Sequence, residues 1–288
     1  MKPKKTGVIA ECLCDLPKDM LRQYNVDIVY FLIETDTGIF TDTDEISVEN
    51  VLSYMDEGHE KIVSYAPSAD VYKSIFEEKL KVYDEIIFVG VSSHMSHSCE
   101  NARIAAALMG DTGGRVHVFD TEHLSTGLGF FVLKAAEMAE YGFTAAEIIP
   151  ELESMRSRVS TTFIAPSADY LHRNGYVSAF VQKLCRALSI HPVLKMKNGR
   201  LGVKSVVLGN YEAASRYYIR SVLKKADSID RKAAFITHVG CGVKKVRSIQ
   251  AESEKYCRFD KLHTTTASAT ISANCGKGTF GIMFVRNS

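Results

Sequence analysis

Three consecutive runs decide how this chain reads: Ile86-Ile87-Phe88-Val89, then Val91-Ser92-Ser93-His94-Met95-Ser96-His97-Ser98, then Cys99-Glu100-Asn101-Ala102-Arg103-Ile104-Ala105-Ala106-Ala107-Leu108. The first is a short apolar run of buried-strand length, the last has helical composition, and the middle is a hydroxyl-rich turn between them. A turn of that kind sets side-chain donors beside the free N–H groups of a helix start, where an anionic head group is favoured. It offers binding groups without an obvious catalytic partner, which points to a carrier rather than an enzyme.

Outward from this unit the same rhythm continues on both sides. Thr6 to Ala10 reads as a strand, Leu16 to Tyr24 as a helix and Val26 to Glu34 as a second strand. Asp36-Thr37-Gly38 turns the chain into a short partner at Ile39-Phe40. Ser47 is placed to cap a helix running through Met55, Val63-Ser64 ends a short strand, and Pro67-Ser68 opens a helix to about Val82. Val116 to Asp120 is a further strand, and helices at Leu128–Tyr141 and Ala145–Ser157 flank Gly142. This alternation implies a mostly parallel sheet covered by helices, with ligands at the carboxyl ends of its strands. Ser64, Ser92, Ser93 and Thr121 fall there.

Beyond about residue 160 the texture changes to six strand-like runs with helices at Tyr211–Ala226 and Lys244–Tyr256 between them. The expected fold class is therefore α/β with two domains. An N-terminal, mostly parallel domain covers residues 1–160, and a C-terminal α+β domain covers 161–288. No internal repeat or low-complexity tract interrupts the chain.

The bulk numbers narrow the function. A length of 288 residues with 46% hydrophobic and 24% charged side chains can bury a sizeable core. A net charge of +1 with dispersed basic residues argues against nucleic acid or an anionic membrane as partner. No apolar run approaches the roughly 18 residues a membrane helix needs, and too little apolar sequence follows Lys5 for a signal peptide, so the expected location is cytoplasmic. The seven cysteines are odd in number and scattered, which argues against a disulfide scaffold. Cys12-Leu13-Cys14 has no second pair to complete a four-ligand set, so no metal site and no cofactor are expected.

Two motifs invite other chemistry. Gly276-Lys277-Gly278-Thr279-Phe280-Gly281 matches GxGxxG, but a strand-like tail follows, so no helix start is available for a pyrophosphate. Ser93 with His94 or His97 and Asp120 has the residue types of a hydrolytic triad, but lacks the G-x-S-x-G elbow. An esterase using Ser93 is the least favoured reading. For the serine set as a whole, capping and turn chemistry is the plain alternative, with Ser68 as an N-cap.

Taken together, these segments resemble the DegV family of bacterial fatty-acid-binding proteins over essentially the full length. Cys14-Asp15-Leu16-Pro17 resembles the end of the family's TDSTADLP motif, Ser64-Tyr65-Ala66-Pro67-Ser68 its TSxPS turn, and Ser92-Ser93-His94-Met95-Ser96 its SSxLSGT turn. Asp120-Thr121 with Ser125-Thr126-Gly127-Leu128-Gly129 resembles its D-S-x-x-x-S-x-G-x-G segment. Tyr170 to Ser178 resembles YLrrGGRIS, Ile190 to Leu194 resembles NIKPIL, and Gly276 to Gly281 stands where the family has GPGxxG.

The resemblance implies a non-catalytic carrier with one long-chain fatty acid held between two domains and presented to a separate fatty acid kinase. Carried over, Ser64 and Ser93 contact the head group, with Ser92 and Ser96 supporting the turn and Thr121 beside it. The chain departs from the family in several places. Glu11-Cys12-Leu13 replaces Asp-Ser-Thr, Tyr65 replaces a small residue, and His97 replaces the glycine after SSxLS, where it supplies a compensating donor or cation. Tyr176 replaces the arginine of GGR and Asn274 the histidine before GPG, which bears on the handover to a kinase. A member that binds another small anionic or lipid-like ligand without handover is the alternative.

Overall fold

The computed structural model describes residues 5–43, 45–58, 62–173 and 178–287, apart from the side chains of Tyr170 and Leu171. The chain divides into two compact units. The first comprises Met1–Glu45, Lys61–Ser157 and Asn198–Arg200; the second comprises Ile46–Glu60, Arg158–Lys197 and Leu201–Ser288.

The first unit is built on a four-stranded sheet in the order β2-β1-β6-β7, formed by Asp27–Val29 (β2), Thr6–Glu11 (β1), Glu85–Gly90 (β6) and Val116–Asp120 (β7). All three pairings are parallel. Strands β1 and β6 are buried along their whole length, as parallel strands covered on both faces must be. Helices Ala69–Lys79 (α3) and Ser98–Leu108 (α4) cover one face, where Tyr72, Phe76, Phe88, Cys99, Ala102 and Ala105 form a common core. Helices Ser125–Glu140 (α5) and Ala145–Met155 (α6) pack against the strands from their other side. A short helix, Lys18–Gln23 (α1), follows β1.

The expected single strand from Val26 to Glu34 is two strands in two sheets. After β2 the chain leaves the parallel sheet at Tyr30 and Phe31, and Leu32–Glu34 (β3) forms the centre of a three-stranded antiparallel sheet with Ile39–Thr41 (β4) and Val63–Tyr65 (β5). The Phe31 amide donates to Cys12 Sγ at 3.4 Å instead of to a neighbouring strand, which ends the parallel ladder there.

The second unit carries a six-stranded sheet of Val159–Ile164 (β8), Ile190–Lys197 (β9), Arg200–Leu208 (β10), Ile229–His238 (β11), Lys261–Thr266 (β12) and Phe280–Arg286 (β13). Their order across the sheet is β10-β9-β8-β13-β11-β12. The β8–β9, β8–β13 and β11–β13 pairs are antiparallel and β11–β12 is parallel, so this sheet is mixed. Helices Tyr211–Leu223 (α9) and Val243–Glu254 (α10) belong to this unit, and its main core joins Tyr218, Ile219, Ile249, Ile236, Phe280 and Phe284. Three further helices, Asp169–Arg173 (α7), Ala179–Ala187 (α8) and Ala269–Cys275 (α11), interrupt segments that sequence patterning leaves without structure. Helix Val48–Asp56 (α2) also lies in this unit: Leu52 and Val48 pack with Val239, Ala267 and Ile271. Its N-cap is Ser47, as expected, in a reciprocal capping box with Asn50. Gly276 to Gly281 runs directly into β13, so that GxGxxG match has no helix start to offer a phosphate.

Tyr218 ties this sheet to α9. Its buried hydroxyl donates to the Thr162 carbonyl at 2.8 Å and accepts from the Ile282 amide at 3.0 Å. Tyr218→Phe leaves both backbone groups without that partner and costs about 1–3 kcal/mol. Hydrogen exchange should then speed up at Ile282 and along β8 and β13, while the first unit's amides keep their rates.

Candidate functional site at the serine turn

Because β1, β6 and β7 are parallel and in register, with Ala10 opposite Val89 and Gly90 opposite Asp120, their carboxyl ends form one edge. The segments leaving that edge carry Glu11, the serine turn and Thr121. Gly90 at the exit of β6 permits the close seat of α4. A Cβ there would overlap Cys99 Sγ and lie 2.9 Å from the Phe88 ring, so no larger residue fits unless those side chains shift.

The serine turn is held by its own atoms and by acids from both neighbouring strands. Ser92 is fully buried; its Oγ donates to the Gly199 carbonyl at 2.6 Å, and its carbonyl accepts from the amides of Met95 at 2.8 Å and Ser96 at 3.2 Å. Thr121 is also fully buried, and its Oγ1 donates to the Gly90 carbonyl at 2.9 Å and accepts from the His123 amide at 3.1 Å. These two hydroxyls are committed inside the fold and shape the turn. Ser96 Oγ accepts from the Ser98 amide at 3.2 Å, the bond a cap makes, although the helix begins one residue after His97.

Ser93 is different. Its amide donates to Asp120 Oδ2 at 3.2 Å, which fixes the backbone, but its side chain is exposed and makes no hydrogen bond among the described residues. It is an oriented hydroxyl with its donor available. Ser64 is half-buried in β5, opposite Ile33. The segment following it is fastened to the serine turn's helix by Asn101 of α4, whose Nδ2 donates to the Pro67 carbonyl at 2.7 Å. That clamp, between residues 34 apart in sequence, is a positioning contact that no motif spacing announces.

The remaining candidates lie elsewhere. His97 is exposed and its Nδ1 lies 2.8 Å from Glu100 Oε2, an exposed contact within one helical turn rather than a partner for a serine. Asn274 is in α11 of the second unit, exposed, with its Nδ2 donating to the Thr270 carbonyl at 2.8 Å. Tyr176 lies outside the described residues.

In the sequence, Glu11 stands out only as a departure from the family's pattern. In the structure it is fully buried at the end of β1. Its Oε2 accepts from the Val91 amide at 2.8 Å, at the entry to the serine turn, and its Oε1 accepts from the Tyr72 hydroxyl at 3.3 Å. Loss of solvent pushes its carboxyl up to about 7, against the Ser98 hydroxyl and the Val91 and Tyr72 hydrogen bonds, which favour the charged form. Cys14 is a buried thiol and Cys12 a half-buried one that contacts Asp42 and the Phe31 amide; loss of solvent raises both, Cys14 to about 12. Among the described residues no group of three or more His, Cys, Asp or Glu is placed to hold a metal, and no helix is long and apolar enough to cross a membrane.

Comparison with known proteins agrees with this architecture. The family model described as "Uncharacterised protein, DegV family" matches residues 5–287. A DegV domain-containing protein of Caldanaerobacter subterraneus subsp. tengcongensis is 28% identical over 73% of this chain and 74% of its own. Protein DegV of Bacillus subtilis is 24% identical over 96% and 97% respectively. Among solved structures, a DegV family protein from Thermus thermophilus, described as binding fatty acid, has a TM-score of 0.87 at 24% identity, covering 98% of this chain and 100% of its own. One from Eubacterium eligens, loaded with heptadecanoic acid, has a TM-score of 0.84 at 18% identity over 98% and 100%. With the match running almost from end to end and the folds superimposing over the same span, this chain belongs to the DegV family.

Proposed function

We propose that this protein is a non-catalytic carrier of a long-chain fatty acid whose carboxylate is received at the serine turn, by Ser93 and Ser64. The observation that carries this reading is the exposed, uncommitted hydroxyl of Ser93 on a backbone fixed by Asp120, at the carboxyl edge of a parallel sheet. The solved relatives from Thermus thermophilus and Eubacterium eligens, which are described with fatty acid, support it. So does the energetics: burying about 14 methylenes at ~0.8 kcal/mol each gives roughly 11 kcal/mol of gross transfer free energy. That has to exceed the association entropy and the desolvation of the carboxylate, which therefore needs hydroxyl donors. The arrangement of His97 with Glu100, and not with a serine, supports binding without hydrolysis. Ser92, Ser96 and Thr121 serve the turn in this reading.

Native mass spectrometry of the full chain should find about one fatty acid per protein as purified, or on adding palmitate to delipidated protein. Each hydroxyl lost from a charged partner costs about 1.5–3 kcal/mol, so Ser93→Ala or Ser64→Ala should weaken palmitate binding at least tenfold. Unchanged affinity in the double variant, or a protein that takes up no acyl chain, defeats the reading. Handover to a fatty acid kinase is its finer part. Tyr176 and Asn274 bear on that step and leave the binding hydroxyls in place. Acyl phosphate formed from loaded protein, ATP and such a kinase reads it directly.

A further inference from the structure

We propose that Glu11 is a positioning residue of the serine turn and takes up a proton when an anion binds there. The inference deepens the proposed carrier function and rests on the serine turn being its head-group site.

The geometry is specific. The two amides that could greet an anion at the entry of the turn already face carboxylates: Val91 N–H points to Glu11 Oε2 and Ser93 N–H to Asp120 Oδ2. An incoming carboxylate would be the third acid at one short loop. Among the described residues, the titratable groups that feel Glu11 are Asp120 of β7, Tyr72 of α3, Cys99 of α4, and Cys12 and Cys14 in the turn after β1, none of them a cation. The Arg156 guanidinium is spent on the Asp120 backbone carbonyl, at 2.8 and 3.1 Å. The buried positions of α5, which packs on β1, are uncharged. Like charges within one site cannot all remain ionised, and the group most easily neutralised is the fully buried one. Its carboxyl titrates near 7, close enough to neutrality for ligand charge to decide its state. A protonated Glu11 still offers a carbonyl oxygen to Val91 N–H, so the turn keeps its shape while its charge falls. By linkage, an anion that favours the protonated form binds more weakly as pH rises.

Isothermal titration calorimetry of delipidated full-length protein with palmitate, in buffers of different ionisation enthalpy from pH 6 to 8.5, tests this. Wild type should take up close to one proton per palmitate at pH 8, and its affinity should fall by up to about tenfold per pH unit above 7. Glu11→Gln, which keeps the acceptor but cannot titrate, should bind with no uptake and a flat profile. Equal uptake by both proteins places the proton on a group other than Glu11 and overturns the inference. No uptake by wild type overturns it while leaving fatty acid binding intact; no palmitate binding at any pH removes both. If Glu11→Gln does not fold, infrared difference spectra of wild type with carboxyl-labelled 13C-palmitate decide. The unlabelled protonated-carboxyl band must grow on loading at pH 8, and an unchanged band refutes the proposal.

Discussion

Glu11→Gln stabilises the first unit by about 2–3 kcal/mol more at pH 8 than at pH 5. The ordinary value for the glutamate carboxyl is 4.5, and burial in the native chain raises it to about 7. Between those values the native state holds a proton that the unfolded chain has released, so native stability falls as pH rises from 4.5 to about 7 and then levels off. Below 4.5 both states are protonated and nothing is lost. The full penalty is about 3 kcal/mol at 1.36 kcal/mol per unit, and glutamine does not suffer it. Because Gln keeps an acceptor for Val91 N–H, its other effects are small and do not change with pH. Urea unfolding followed by far-UV circular dichroism is suitable, since the chain has no tryptophan. Hydrogen exchange on first-unit peptides locates the effect. A variant equally stabilised, or equally destabilised, at both pH values would show that Glu11 is charged in the native protein throughout.

The run from Ile86 to Leu108 could be read because its three parts differ sharply in composition; β6 and α4 follow those limits closely. The doubly covered parallel sheet was legible for the same reason, since continuous apolar runs such as Val8-Ile9-Ala10 have no polar face to turn to water. Glu11 was not, because a carboxylate at a strand end reads as solvated, and only burial by α3, α4 and the turn makes it otherwise. The split of Val26–Glu34 was hidden as well: Tyr30-Phe31 is as strand-like as its flanks, and the break comes from a distant thiol taking an amide. Helix α11 is short and rich in Ala, Thr, Ile and Ser, so propensity says little, and its start depends on the Ser268 cap. Helix α2 was legible as a helix but not as a part of the second unit, since an amphipathic face does not name what it packs against. The Asn101 clamp likewise joins two motifs that each looked complete alone.

Phe88→Ala costs the first unit about 3–5 kcal/mol, the usual range for emptying a buried aromatic site. Phe88 is wholly inaccessible, with Tyr72 edge-on at a centroid distance of 5.2 Å and Phe76 at 6.0 Å. The cavity cannot close easily, because the neighbours are a strand in a four-stranded sheet and two helices already seated on it. The consequence reaches the site by a short route. Tyr72 packs edge-on against Phe88 with its ring and donates to Glu11 with its hydroxyl, and Glu11 holds the Val91 amide at the mouth of the serine turn. Removing the ring therefore frees Tyr72 to move away from the carboxylate, so palmitate affinity should fall even at temperatures where the variant remains folded. Phe88→Leu keeps most of the volume and should cost only about 1–2 kcal/mol with nearly normal binding. If alanine and leucine lose stability equally, shape at this position is not what supports the turn. If alanine destabilises the fold as expected but binds palmitate with unchanged affinity, then the aromatic layer holds the sheet to its helices and the turn is set by Asp120, Ser92 and Asn101 alone.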